Sequence, residues 1–110
     1  MKQGEIWNLS LDPIKDREQA GFRPAVIISG NLMNTYLDVV IVCPLTTSVK
    51  NYKGNCILKP SKTNGLSKKS EILTFHIRSV SKHRLLKKLG HIEPSELAQV
   101  KQGLNDILRY

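Results

Sequence analysis

Two short runs of consecutive apolar residues, 25–29 (AVIIS) and 37–44 (LDVVIVCP), constrain the chain more than any other feature. Both are rich in β-branched residues and too short for a buried helix, so they read as strands. A strand that is apolar on successive positions needs cover on both of its faces. The rest of the chain therefore has to supply two layers of cover. Residues 5–11 alternate, with Trp7, Leu9 and Leu11 on one side, and read as a first strand that Leu11-Asp12-Pro13 ends. Residues 14–22 form a polar connection. Residues 30–36, with Gly30, Asn31 and Asn34, read as a turn or short loop. Residues 56–59 read as a strand between loops at 51–55 and 60–66. Residues 71–75 and 77–80 read as further strand with a kink between them, and 81–86 as one helical turn opened by a serine cap.

Only the last segment has helical spacing. Pro94 and the acids Glu93 and Glu96 stand where a helix start favours them, and Leu97, Val100, Leu104, Ile107 and Leu108 recur at steps of three and four. The pattern predicts a mostly β fold, a small twisted barrel or sheet with a C-terminal helix packed on it. With 110 residues, the chain suits one domain, residues 1–110.

The formal net charge is +8, and its placement is uneven. Residues 39–92 hold eleven Lys and Arg against the single acid Glu71, a net +10, while the remainder holds six basic residues against eight acids. Such a basic stretch fits a protein that meets a polyanion. A solvated lysine-rich surface or an acidic peptide partner would show the same charge. No apolar run reaches the roughly 18 residues needed to cross a bilayer. The N-terminus lacks the features of a signal or transit peptide, so the expectation is a soluble, cytoplasmic protein without a membrane partner. Cys43 and Cys56 each lie in an apolar stretch and read as small buried hydrophobes rather than a disulfide. His76, His83 and His91 have no recognised ligand spacing, so neither a metal site nor a cofactor is expected.

One stretch carries chemistry. Glu18-Gln19-Ala20-Gly21-Phe22-Arg23-Pro24 runs directly into the strand at 25–29. With Gly4-Glu5-Ile6-Trp7, Leu11-Asp12-Pro13, Pro44-Leu45-Thr46-Thr47-Ser48 and the segment around Arg78-Ser79, it closely resembles the MazF/PemK family of toxin endoribonucleases. The blocks appear in family order across nearly the whole chain. Two positions depart from the family pattern. Asp16 stands where a glycine is common, and Phe75-His76 stand where many members carry Asp-Gln.

The resemblance implies a small SH3-like barrel and metal-independent cleavage of single-stranded RNA, leaving 2′,3′-cyclic phosphate and 5′-OH ends. It also implies a cytoplasmic homodimer neutralised by a cognate antitoxin with an acidic tail. In that reading Arg23, Thr46 and Glu18 are catalytic. Arg23 offers its planar fork of donors to the phosphate oxygens. Thr46 adds a hydroxyl, and Glu18 either holds the guanidinium or accepts the 2′-OH proton. Gln19, Thr47, Ser48, Lys50, Lys53, Lys68, Lys69, His76, Arg78 and Arg84 would bind RNA. Tyr36 and Tyr52 are the stacking candidates, and Trp7 reads as core or dimer interface. A non-enzymatic toxin of the gyrase-inhibitor type and an inactive RNA-binding homologue are the alternatives. The first has no need of an arginine–threonine phosphate site.

Overall fold

The structure is a computed structural model describing residues 1–10 and 21–110. Among the described residues, seven strands and two α-helices follow in the order β1 (Glu5–Ser10), β2 (Phe22–Ile27), α1 (Asn31–Tyr36), β3 (Val39–Thr46), β4 (Ile57–Leu58), β5 (Ser70–Ile72), β6 (Arg78–Ser81), β7 (Leu85–His91) and α2 (Pro94–Arg109). The strands hydrogen-bond in the order β4-β5-β3-β2-β1-β7, with β6 also on β3. The eight-residue strand β3 organises this sheet. One edge pairs with β2 (Val26↔Cys43), while the other is split between β6 along its first half (Val40↔Val80) and β5 at its end (Leu45↔Ile72). Two partners diverging from one edge curl the sheet into a half-barrel, and α2 packs against it.

The two apolar runs are covered on both faces, as their composition demands. Val26, Ile28, Cys43 and Leu45 point into a cluster with Ile6, Leu58, Ile72 and Val100 of α2. Ala25, Ile27, Val40 and Val42 point the other way, into a cluster with Leu9, Val80 and Leu85. Each residue in such a cluster contributes about 1.5–3 kcal/mol on burial if it is a large aliphatic. Both cysteines are free and buried. Burial pushes the Cys43 thiol up to about 12 and the Cys56 thiol up to about 11, so both behave as hydrophobes.

Local structure departs from the sequence expectation at three places. Residues 31–36, expected as turn or loop, form the helix α1, which is too short to show a period. It is held by side chains: buried Asn34 donates to the Ser29 carbonyl at 2.9 Å, the Ser29 hydroxyl bonds Asn34 and accepts from the Ile41 amide, and Lys82 reaches the Asn34 carbonyl. Strand pairing at 71–75 stops at Ile72, and Thr74–His76 form a 3₁₀ turn instead. The turn expected near 81–86 is present at Lys82–Arg84, capped by Ser81, whose hydroxyl accepts from the His83 amide. Beyond it lies β7, which was not anticipated, because LLKKLGH does not alternate. As an edge strand on β1 it carries its lysines outward, and Lys88 pairs with Glu5 at 3.1 Å. In α2 the capping box is present, with the Glu93 amide donating to Glu96 at 2.7 Å. Leu97, Val100 and Leu104 pack on the core, whereas Leu108 is 86% exposed and Ile107 is half exposed.

Candidate functional site

Arg23 and Thr46 meet because of strand register. The β2–β3 ladder closes at the pair Ala25↔Pro44, and each strand runs on two residues past it, to Arg23 on β2 and to Thr46, the last residue of β3, which line one hollow. Alternation then puts both side chains on the face opposite their inward neighbours Val26 and Leu45. Pro24 fixes the backbone between Arg23 and the core. Arg23 is exposed at the mouth of its strand, and Thr46 is half buried. The Thr46 hydroxyl accepts from the Ser48 amide at 3.1 Å, which leaves its own proton free to donate outward.

Around this pair the surface sinks into four adjoining hollows. One of about 200 Å³ is lined by Phe22, Arg23, Thr46, Thr47 and Ser70. A second of about 200 Å³ lies between Arg23, Leu73, His76 and Arg78. A third, about 220 Å³, is lined by Thr46, Ser48, Lys50, Tyr52, Phe75 and His76. The largest, about 390 Å³, runs on past Tyr52, Lys53 and Phe75 to Asp106, Ile107 and Tyr110 of α2. Arg23 belongs to the first two, Thr46 to the first and third, His76 to the second and third, and Tyr52 with Phe75 to the last two. Through these shared residues they adjoin as one groove, with Arg23 and Arg78 at one end and the rings of Tyr52 and Phe75, beside Lys50 and Lys53, at the other.

The rings are in contact. Tyr52 and Phe75 meet edge to face with centroids 5.2 Å apart, and Phe75 leans on His76 at 4.7 Å. The groove thus gathers Arg23, Thr46, Thr47, Ser48, Lys50, Lys53, His76 and Arg78. It does not gather all the residues that the resemblance suggested. Lys68 and Lys69 are exposed just before β5 and line none of these hollows, although the neighbouring Ser70 does. Arg84 is half buried and donates to the Ser10 carbonyl at 3.3 Å. Glu18 and Gln19 lie outside the described residues.

Of the stacking candidates, Tyr52 stands in the groove, while Tyr36 is exposed at the end of α1 and lines none of it. Trp7 packs on the second cluster, and its Nε1 donates to Glu5 at 2.9 Å. Phe75 was missed as a wall of the groove. The signal was available in the departure at Phe75-His76, which puts two rings where many family members carry two acyclic polar side chains. Among the described residues, no three His, Cys, Asp or Glu side chains come together as a metal cluster.

Comparison with known proteins places this groove on a familiar scaffold. The endoribonuclease MazF9 of Mycobacterium tuberculosis is 32% identical over 109 residues, covering 94% of this chain and 92% of that protein. The crystal structure of MazF from Deinococcus radiodurans superposes with a TM-score of 0.80 at 28% identity, over 100% of this chain and 97% of that one. A MazE–MazF crystal structure from the same organism superposes with a TM-score of 0.81 at 26% identity, covering 98% and 95%. Residues 2–108 match the model of the PemK-like, MazF-like toxins of type II toxin–antitoxin systems, and the chain belongs to that family.

Proposed function

We propose that the chain is a sequence-selective, metal-independent endoribonuclease acting on single-stranded RNA, the toxic partner of a cytoplasmic toxin–antitoxin pair. The observation that carries this reading is the meeting of Arg23 and Thr46 across β2 and β3, in a groove continuous with exposed cations and rings. In the proposed reaction the ribose 2′-OH loses its proton and its oxygen attacks the adjacent phosphorus. The bond from phosphorus to the 5′-oxygen breaks, and that oxygen takes up a proton. Arg23 meets the charge that builds on the non-bridging oxygens, with the Thr46 hydroxyl as a second donor. His76, which lines a hollow with Arg23, would contact the RNA beside the scissile phosphate. Glu18 would either hold the Arg23 guanidinium or accept the 2′-OH proton, and Gln19 would contact the RNA.

Thr47, Ser48, Lys50, Lys53 and Arg78 would hold the strand, with Lys68, Lys69 and Arg84 adding to the field around it. The rings of Tyr52 and Phe75 suit nucleobases, whose faces stack on aromatic side chains. Similarity to the MazF of a MazE–MazF complex supports a cognate antitoxin, whose acidic segment would use the same positive surface. A homodimer, which the family resemblance implies, would bury exposed apolar surface such as Leu108, which lies on α2 outside the groove.

The test is to digest a long RNA with purified protein in excess EDTA and to map the cut ends. Cleavage should persist and leave 2′,3′-cyclic phosphate and 5′-OH termini. Products with 5′-phosphate and 3′-OH ends that form only with Mg²⁺ would replace attack by the 2′-OH with attack by water.

A further inference from the structure

Glu71 is the only acid between residues 39 and 92, and it is 0% exposed. Its position on β5, opposite Ile57 of β4 and Thr46 of β3, puts it beneath the loop that connects β3 to β4. Oε1 accepts from the amides of Lys50 at 2.8 Å and Asn51 at 2.9 Å. Oε2 accepts from the amide of Tyr52 and from the Asn55 side chain, both at 2.9 Å. The loop thus turns three successive backbone N–H groups inward onto one carboxylate, and Asn51 takes a positive φ of 58° to allow it. Lys50, Tyr52 and Lys53 are left pointing outward, and each lines the groove. Burial alone would push the Glu71 carboxyl up, but the bonds from Asn55, Lys50, Asn51 and Tyr52 outweigh it and hold it below the ordinary carboxylate value.

We infer that Glu71 is a positioning residue for RNA binding: its buried carboxylate fixes the 50–55 loop so that Tyr52 stays against Phe75 and Lys50 and Lys53 stay on the groove. This inference rests on the RNA-cleaving reading of the groove and adds to it a residue that never touches the substrate. Glu71 lines none of the four hollows, and the loop it holds carries Lys50, Tyr52 and Lys53 rather than Arg23 or Thr46, so its effect belongs to binding rather than to the chemical step. Loss of uniform binding raises KM and leaves kcat in place.

Two measurements test it. Amide hydrogen exchange on the wild-type protein should show Lys50, Asn51 and Tyr52 protected about tenfold or more over their exposed neighbour Lys53, although all lie in a loop. This readout needs no variant and no RNA. Exchange of the three amides as fast as their neighbour overturns the inference. The E71Q variant, which keeps the shape and removes the charge, should lose that protection and raise KM for RNA about fivefold to tenfold, with kcat within about twofold. An unchanged KM, or a fall in kcat alone, overturns it.

Should E71Q fail to fold, N55A removes one of the four donors and should raise KM about twofold to threefold; an unchanged KM then counts against the inference. Wild-type protein that cuts no RNA, with its loop amides protected, would instead overturn the reading of the groove itself, and the role assigned to Glu71 with it.

Discussion

Arg23 is held by two strands but contributes little to the core, since its side chain is exposed while its neighbours Ala25 and Val26 are fully buried. R23A should therefore melt within a few degrees of the wild type and yet lose RNA cleavage. Removing one donor to a transition-state oxyanion typically costs about 3 kcal/mol or more, which is about a hundredfold in rate. T46V keeps the shape, removes one neutral donor, and should lose less. A folded R23A protein that cuts at near wild-type rate would remove Arg23 from the reaction. Glu71 supplies a pH prediction at the same scale. Its carboxyl is held below the ordinary value in the folded chain, so the folded state binds fewer protons than the unfolded one around that value. The stabilisation it gives is complete above the ordinary carboxylate range, near about pH 4, and is lost as pH falls through the lower folded value. E71Q has nothing to titrate there. Urea melts should show the gap between wild type and E71Q to be widest at neutral pH and to shrink below about pH 4. A gap that stays constant would mean that the carboxylate contributes no charge-dependent stability.

The elements differ in how strongly local sequence dictates them. In β7 the decisive contact is a backbone crossing: a Cβ added at Gly90 would lie 2.2 Å from the Thr63 carbonyl oxygen and 2.6 Å from the Asn64 carbonyl carbon. The crossing also carries a bond from the His91 amide to the Thr63 carbonyl at 3.0 Å. G90A must push two backbone segments apart, at a cost of about 1–3 kcal/mol, and should lower Tm by several degrees. Gly90 lines none of the groove, so cleavage per folded molecule should be unchanged. A Tm equal to the wild type would show that the loop at 63–64 gives way freely. The same element shows why part of the fold was hidden. The strands β2 and β3, with apolar runs covered twice, and α2, with its proline, its acids and its regular stripe, were legible because each writes its burial into consecutive or periodic positions. The strand β7 was not, because an edge strand facing water on much of its surface has lysines where alternation would otherwise show. Nor was α1, whose single turn is held by Asn34 and Ser29 reaching across to β3 and Lys82 rather than by local propensity. In the groove, Arg23 and Thr46 could be named from motif blocks, and strand register brings them together. Phe75 was marked only by its departure from the family pattern and owes its place to a 3₁₀ turn, while Glu71 could not be placed because its role depends on a loop folding back over β5.

At the scale of the whole molecule, burying Glu71 removes from the surface the only negative charge in the 39–92 segment. What remains outside is a set of eleven cations, of which Lys50, Lys53 and Arg78 line the groove with Arg23. A single-stranded RNA lying there displaces counterions, and each phosphate contact adds roughly 0.7 to the slope of log affinity against log salt. In a protein silenced by R23A, a K50E/K53E pair should flatten that slope by about 1.4 and weaken binding to all RNAs about equally. Phosphate contacts position a strand, while base contacts choose it, so the preferred cleavage site of the catalytically intact K50E/K53E protein should survive. K87E, on the exposed edge strand β7 and outside the groove, changes the net charge by two without touching a proposed contact. Its slope should stay close to that of the parent. The measurement is a salt titration of RNA affinity for the parent, K50E/K53E and K87E proteins. Equal slopes for the parent and K50E/K53E would take the 50–53 loop off the RNA and leave the strand to Arg23, Arg78 and His76. A loss in K87E about half that in K50E/K53E, in step with its half-sized change in charge, would instead make the attraction a property of net charge, with no path along the groove.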